Sequence, residues 1–131
     1  MSDISTNEIL RNLVARLSYA RDERRTDLID ELVCEDVLFV IHHPAETIRH
    51  EGRETFRTVY GSPSVGRHIL SSTDIVSTGP DLGMTMSNVV QVSPDGRVVG
   101  LARYDDEFRL EEGGWRLAVR NAHVFGRAST T

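Results

Sequence analysis

The side chains of this sequence best suited to moving protons near neutral pH are five histidines and a share of its twenty acids. His68 has the setting of a general base. It sits in Arg67-His68-Ile69-Leu70, just after a Ser/Gly-rich turn and at the start of a β-rich stretch, where an imidazole can face a space beneath preceding helices. A carboxylate beside such a ring fixes its tautomer and raises its basicity. Asp22 is the candidate acid, placed where the first helical stretch ends. The other histidines read differently. His42-His43 precedes Pro44 at a strand exit, and adjacent side chains on a strand diverge, so the pair is a poor metal clamp. His50, between Arg49 and Glu51, reads as exposed, and His123 as structural. No H-E-x-x-H or zinc-type Cys/His spacing is present, so no metal is expected. No cofactor is expected either: Gly113-Gly114 reads as a hairpin turn, with no helix N-terminus to hold a phosphate. The lone Cys34 cannot close an internal disulfide and reads as a small core residue of a second helix.

The elements that must position Asp22 and His68 follow from the apolar period. Residues 5–33 have helical rhythm: Ser5 and Glu8 have capping-box spacing, and Ile9, Leu10, Leu13, Val14 and Leu17 recur on one face. The charged stretch Arg21 to Arg25 breaks it and reads as a solvated, mutually neutralising face; Thr26 can cap a second short helix over 27–34. Val37 to Ile41 is a strand, 47–51 its hairpin partner, and 53–60 a third helix after Gly52. Four strands follow, at about 67–77, 83–93, 97–111 and 115–125, separated by Gly79-Pro80-Asp81, Ser93-Pro94-Asp95-Gly96 and Glu112-Gly113-Gly114. The tail 126–131 is expected to fray. Helices first and a long antiparallel sheet after them predict an α+β domain with helices on one sheet face.

Alternation along the strands selects an inner face. It groups Met84, Met86, Asn88, Val90 and Val92 in the second long strand, and Tyr104, Asp106, Phe108 and Leu110 in the third. In the last strand it groups Trp115, Leu117, Val119, Asn121 and His123, and turns Arg116 and Arg120 outward, where Arg120 would serve a surface or dimer ion pair. Polar groups converging on a greasy face need partners or border a pocket. Phe39, Met84, Met86, Tyr104, Phe108 and Trp115 supply the expected apolar wall, with Tyr19, Asn88 and Asn121 as further substrate-binding candidates.

The 131 residues (14.7 kDa) are the size of one domain. A 39% hydrophobic and 27% charged composition excludes disordered and fibrous classes. Net charge −5 and a pI near 5.5 argue against nucleic-acid and anionic-membrane partners. No apolar run reaches the roughly 18 residues that span a bilayer, and residues 1–20 do not read as a signal peptide, so a cytoplasmic location is expected.

Leu17-Ser18-Tyr19-Ala20-Arg21-Asp22-Glu23-Arg24-Arg25-Thr26-Asp27-Leu28, continuing to Glu35-Asp36-Val37, resembles the opening of SnoaL-like proteins of the nuclear transport factor 2-like (NTF2-like) superfamily. Gly52-Arg53, Arg67-His68, Gly100 to Asp106, and Gly113-Gly114-Trp115-Arg116-Leu117 followed by Arg120 continue the match in order over about residues 8–124. The resemblance implies a cone-shaped fold, with a curved, mostly antiparallel sheet packed on three helices, a deep pocket, and a homodimer formed through the outer sheet face. The Asp–His dyad of the scytalone dehydratase and hexachlorocyclohexane dehydrochlorinase branches falls on Asp22 and His68. That implies a cofactor-independent lyase, isomerase or cyclase acting on a small apolar carbonyl or hydroxyl compound, with Tyr104 and Asn88 as hydrogen-bond donors. No histidine stands at 91–93, where scytalone dehydratase has its second, so that particular reaction is not expected. The alternative is a non-catalytic binding or assembly module, since the chain also resembles the β subunits of aromatic-ring-hydroxylating dioxygenases.

Overall fold

A computed structural model describes residues 3–64 and 66–127, with side chains over 6–64 and 66–126. Helix α1 (Asp3–Asp22) begins ahead of Ser5, so Ser5 lies inside the helix rather than capping it. Its stripe of Leu10, Leu13, Val14, Leu17 and Ala20 is buried, each large aliphatic side chain contributing roughly 1.5–3 kcal/mol. The helix stops in a Schellman turn: Arg24 takes a left-handed φ of 52°, Arg25 N–H bonds back to the Ala20 carbonyl at 2.8 Å and Arg24 N–H to that of Arg21 at 3.3 Å. This stop puts Asp22 on the last turn.

The second helix is shorter than its sequence suggests. A 3-10 turn (Thr26–Leu28) runs into α2 (Ile29–Leu32), and neither has a side-chain cap. Val33 and Cys34 already belong to strand β1 (Val33–His42), where Cys34 is fully buried. β-branched Val33 and the apolar run 37–41 prefer the sheet to another helical turn. Strand β2 (Thr47–Glu51) pairs antiparallel with β1, and α3 (Arg53–Gly61) follows Gly52, burying Phe56 and Tyr60.

Strands β3 (Arg67–Thr78), β4 (Leu82–Val92), β5 (Val98–Glu111) and β6 (Gly114–Arg127) form the expected meander. Gly126 and Arg127 extend β6 rather than fray, and 128–131 lie outside the described residues. The six strands order as β2-β1-β6-β5-β4-β3, with β1 parallel to β6 and all other pairs antiparallel. The sheet is mixed and open, and its inner face packs on the helices around Leu13, Leu17, Ile29, Phe56, Phe108 and Leu117. Among the described residues, no helix is long and apolar enough to cross a membrane.

β4, and β6 beyond its bulge, turn the opposite way from their predicted faces. In β4 the inner residues are Gly83, Thr85, Ser87 and Val89, whereas Met84, Met86 and Asn88 point outward. At Gly83 the inner position is small because α1 lies close: a Cβ there would come within 2.6 Å of Leu10 Cδ1, while Ser87 bonds Thr73 Oγ1 of β3 at 3.0 Å. In β6 a bulge shifts the register. Phe108 pairs with Leu117 but Glu107 pairs with Val119, leaving Ala118 as an extra residue. Side chains therefore face inward at Trp115 and Leu117 before the bulge, and at Arg120 and Ala122 after it. Asn121 and His123 are thereby carried to the outer face.

Candidate active site

The acid and the imidazole meet. His68 Nδ1 lies 2.7 Å from Asp22 Oδ1, and the two carboxylate oxygens also accept the His68 backbone N–H at 3.1 and 3.0 Å. Ser18, one helical turn earlier, donates its hydroxyl to the His68 carbonyl at 2.8 Å. The residue's amide, carbonyl and ring are thus all fixed by the end of α1. An ionised carboxylate only accepts, so Nδ1 carries the proton and Nε2 presents its lone pair. The pair is mostly buried but not sealed: the Asp22 side chain is 5% exposed and that of His68 16%.

His68 borders a cavity of about 740 Å³ between the sheet and α3. Phe39, Ile41, Val59, Val89, Ala102 and Val124 make it predominantly apolar, while Arg21, Tyr60, Gln91 and Tyr104 supply polar atoms. Gly66 lets the loop after α3 close on this space. Its φ is +69°, and a Cβ there would sit 1.8 Å from the Val92 carbonyl oxygen, so a side chain would displace the start of β3 that bears His68.

Below Tyr104 lies a buried ion pair. Arg120 Nε and Nη2 donate to the two Asp106 oxygens at 2.8 and 2.9 Å, Nη1 donates to the Tyr60 hydroxyl at 2.9 Å, and the guanidinium carbon stands 4.0 Å from the Tyr104 ring centroid. Both charged residues are 1% exposed. Burial works against the Arg120 charge, yet Asp106 opposite, with the two tyrosines nearby, holds its pKa above the ordinary value. Burial raises both tyrosine pKa values, with Arg120 and Arg21 pulling the other way, so each stays a neutral hydroxyl able to donate. Among the described residues nothing is hydrogen-bonded to the Tyr104 hydroxyl.

The predicted residues divide plainly. Asp22 and His68 come together, and Phe39 and Tyr104 line the cavity. Tyr19 is 66% exposed on the outside of α1 and takes no part. Phe108 is fully buried core and Trp115 packs against that core; neither lines the cavity. Met84 and Met86 are exposed on the outer face, where Asn88 bonds Ser72 at 3.4 Å, so Asn88 cannot be the second donor. Asn121 accepts from or donates to His42 Nε2 at 2.9 Å on that same outer face, and His123 stacks on His42 with ring centroids 4.7 Å apart. His50 is half-buried against Phe39 rather than exposed.

Sequence reasoning missed Tyr60, Arg120 and Arg21. The sequence alone reads Arg120 as a surface or dimer ion-pair residue and Arg21 as part of a solvated face. A signal for Arg120 existed: Asp106 on an apolar face requires a cation, and the neighbouring strand offers one. Strict hairpin counting from Gly113-Gly114 instead puts Val119 opposite Asp106, which is what the Ala118 bulge corrects.

Solved structures of the same architecture exist. A protein from Novosphingobium aromaticivorans, provisionally described as an aromatic ring hydroxylase, aligns over 100% of this chain and 96% of its own, with 22% identity and a TM-score of 0.76. An NTF2-like protein with a cystatin-like fold from the same organism covers 96% and 86%, at 18% identity and a TM-score of 0.78. A protein of unknown function with a cystatin-like fold from Nostoc punctiforme covers 95% and 93%, at 21% identity and a TM-score of 0.77. No curated protein matches the sequence. These likenesses establish an NTF2-like, cystatin-like fold, and the family follows from the sequence itself: the SnoaL-like domain model matches residues 3–121, so the chain belongs to the SnoaL-like family.

Proposed function

We propose that the chain is a cofactor-independent enzyme in which His68 Nε2 removes a proton from a carbon acid held in the apolar cavity. The carrying observation is the 2.7 Å contact between His68 Nδ1 and Asp22 Oδ1 in a ring that borders the cavity. In the step, the substrate C–H bond breaks and its proton passes to Nε2. The electron pair moves into the adjacent carbonyl, leaving an enolate oxygen, and Asp22 holds the imidazolium that forms. The Tyr104 hydroxyl, which borders the same cavity, is our candidate donor to that oxygen, with the Arg120 cation against its ring strengthening the donor. Returning the proton to another carbon gives an isomerase, and expelling a group from the neighbouring carbon gives a lyase.

Deuterium exchange tests this without the natural substrate. A panel of aryl and alkyl ketones in D₂O, followed by proton NMR, should show enzyme-dependent loss of the α-proton signal. His68→Ala should slow that exchange by about 10²–10⁴-fold, and Tyr104→Phe by about 10²-fold, with both variants still folded by circular dichroism. Exchange as fast in His68→Ala as in the parent protein would leave Asp22–His68 a structural pair, the behaviour of a binding module. The same reading includes a cytoplasmic setting and a second copy of the chain on the outer sheet face, where Met84, Met86 and Leu101 are exposed.

A further inference from the structure

Most of the arginines in the described part of the chain face an acid. Arg16 pairs with Glu31, Arg57 with Asp30 and Glu54, Arg67 with Glu23, Arg109 with Asp36, and Arg120 with Asp106. Arg21 has no such partner among the described residues. Its Nη1 donates to the Ser62 carbonyl at 2.9 Å, its guanidinium lies 5.9 Å from the Tyr60 ring centroid, and it borders the cavity half-buried. Arg11, Arg24 and Arg97 also have no acid partner among the described residues, but they are solvent-exposed. A guanidinium has five N–H donors, and the Ser62 carbonyl takes one.

The carboxylates nearby do not answer this charge. Asp22, the next residue, accepts three contacts from His68, and Asp106 is bound bidentately by Arg120. Asp95 borders the cavity only from the exposed β4–β5 turn, where Ser93 Oγ bonds it and Arg97 stands two residues away. A half-buried cation that lines the same cavity as His68 and its apolar walls is a ready partner for a planar anion.

We propose that Arg21 fixes the substrate class: an apolar keto acid, its carboxylate forked onto Arg21, its enolisable carbon at His68 Nε2 and its hydrophobic body among Ile41, Val89 and Val124. This rests on His68 acting as the base, and binding measurements separate the two claims. The probes are four 4-oxo acids with phenyl, cyclohexyl, butyl and tert-butyl ends, each matched with its primary amide, titrated against the full chain by isothermal calorimetry and amide NMR.

At least one acid should bind about tenfold or more tightly than its amide. Arg21→Gln should remove that advantage while leaving amide affinity unchanged, and Arg21→Lys, which keeps a charge, should retain part of it. His68→Gln should keep the acid preference although deuterium exchange is lost. The proposal fails if no acid outbinds its amide, if the preference survives Arg21→Gln, or if it disappears in His68→Gln instead. A His68 variant that still exchanges, beside an Arg21 variant that has lost acid preference, would overturn the base and leave the anion site standing.

Discussion

Arg120 carries a full positive charge to 1% exposure, which is tolerable only because two carboxylate oxygens, a phenol and an aromatic face surround it. Removing one partner leaves the other buried and uncompensated. Asp106→Ala should therefore cost about 3–5 kcal/mol in urea unfolding, and adding Arg120→Met should recover much of that loss. A double variant no more stable than Asp106→Ala would show that the pair is not what holds this floor together. Cys34 is another buried group whose protonation matters. Burial pushes its thiol up from an ordinary 9.0 to about 11. Between those values the unfolded chain has released a proton that the folded chain still holds, so folding stability must fall as pH rises through that window and is fully present below it. Urea midpoints at pH 8, 9.5 and 10.5 should decline in that order, and Cys34→Ala should lessen the decline, most clearly below pH 10, above which the buried Tyr60 and Tyr104 add a fall of the same sign. Equal slopes in the two proteins would sink the assignment.

The end of α1 sets the geometry of the dyad, and it does so with a residue poorly suited to its backbone. Arg24 adopts φ 52° with an exposed side chain that has no ion-pair partner among the described residues, where a side chain costs roughly 1–2 kcal/mol relative to glycine. Arg24→Gly should raise stability by about 1 kcal/mol in chemical denaturation with an unchanged m-value, while Asp22 keeps its place against His68. A loss of stability would mean that the arginine makes a contact outside the turn. Such local features explain what could be read in advance. Helical spacing exposed α1, the turn segments exposed the meander, and β5 alternation put Tyr104, Asp106 and Phe108 inside. The other faces depended on longer-range geometry. β4 reads as apolar at Met84 and Met86, yet Gly83, Thr85 and Ser87 face in: Leu10 of α1 leaves no room for a side chain at Gly83, and Ser87 meets Thr73 of β3. The inner row of β6 depends on one inserted alanine, invisible to a period of two. The parallel β1–β6 pairing joins strands more than seventy residues apart, and no turn between them marks it.

At the scale of the molecule, the two sheet faces divide the work. The inner one holds the cavity and the dyad. The outer one presents Met84, Met86 and Leu101 at 42%, 39% and 48% exposure around a polar strip in which Arg103 and Asp105 pair at 3.0 Å and His123 reaches Asp105 at 3.1 Å. Adjacent charges of both signs on one strand are self-complementary under a two-fold axis: Arg103 of one copy can face Asp105 of the next while the methionines pack between them. A specific interface removes about 800 Å² from each partner, so a patch this apolar is large enough only if much of the β4–β6 surface joins it. Sedimentation equilibrium should accordingly return about twice 14.7 kDa at micromolar concentration. Met86→Glu would place a carboxylate opposite its own symmetry mate and beside Asp105, and should return the single-chain mass. Because Met86 points away from the cavity, deuterium exchange at His68 should continue in that variant. A parent protein that stays at single-chain mass across the concentration range would leave this face to solvent and confine the chemistry to one copy.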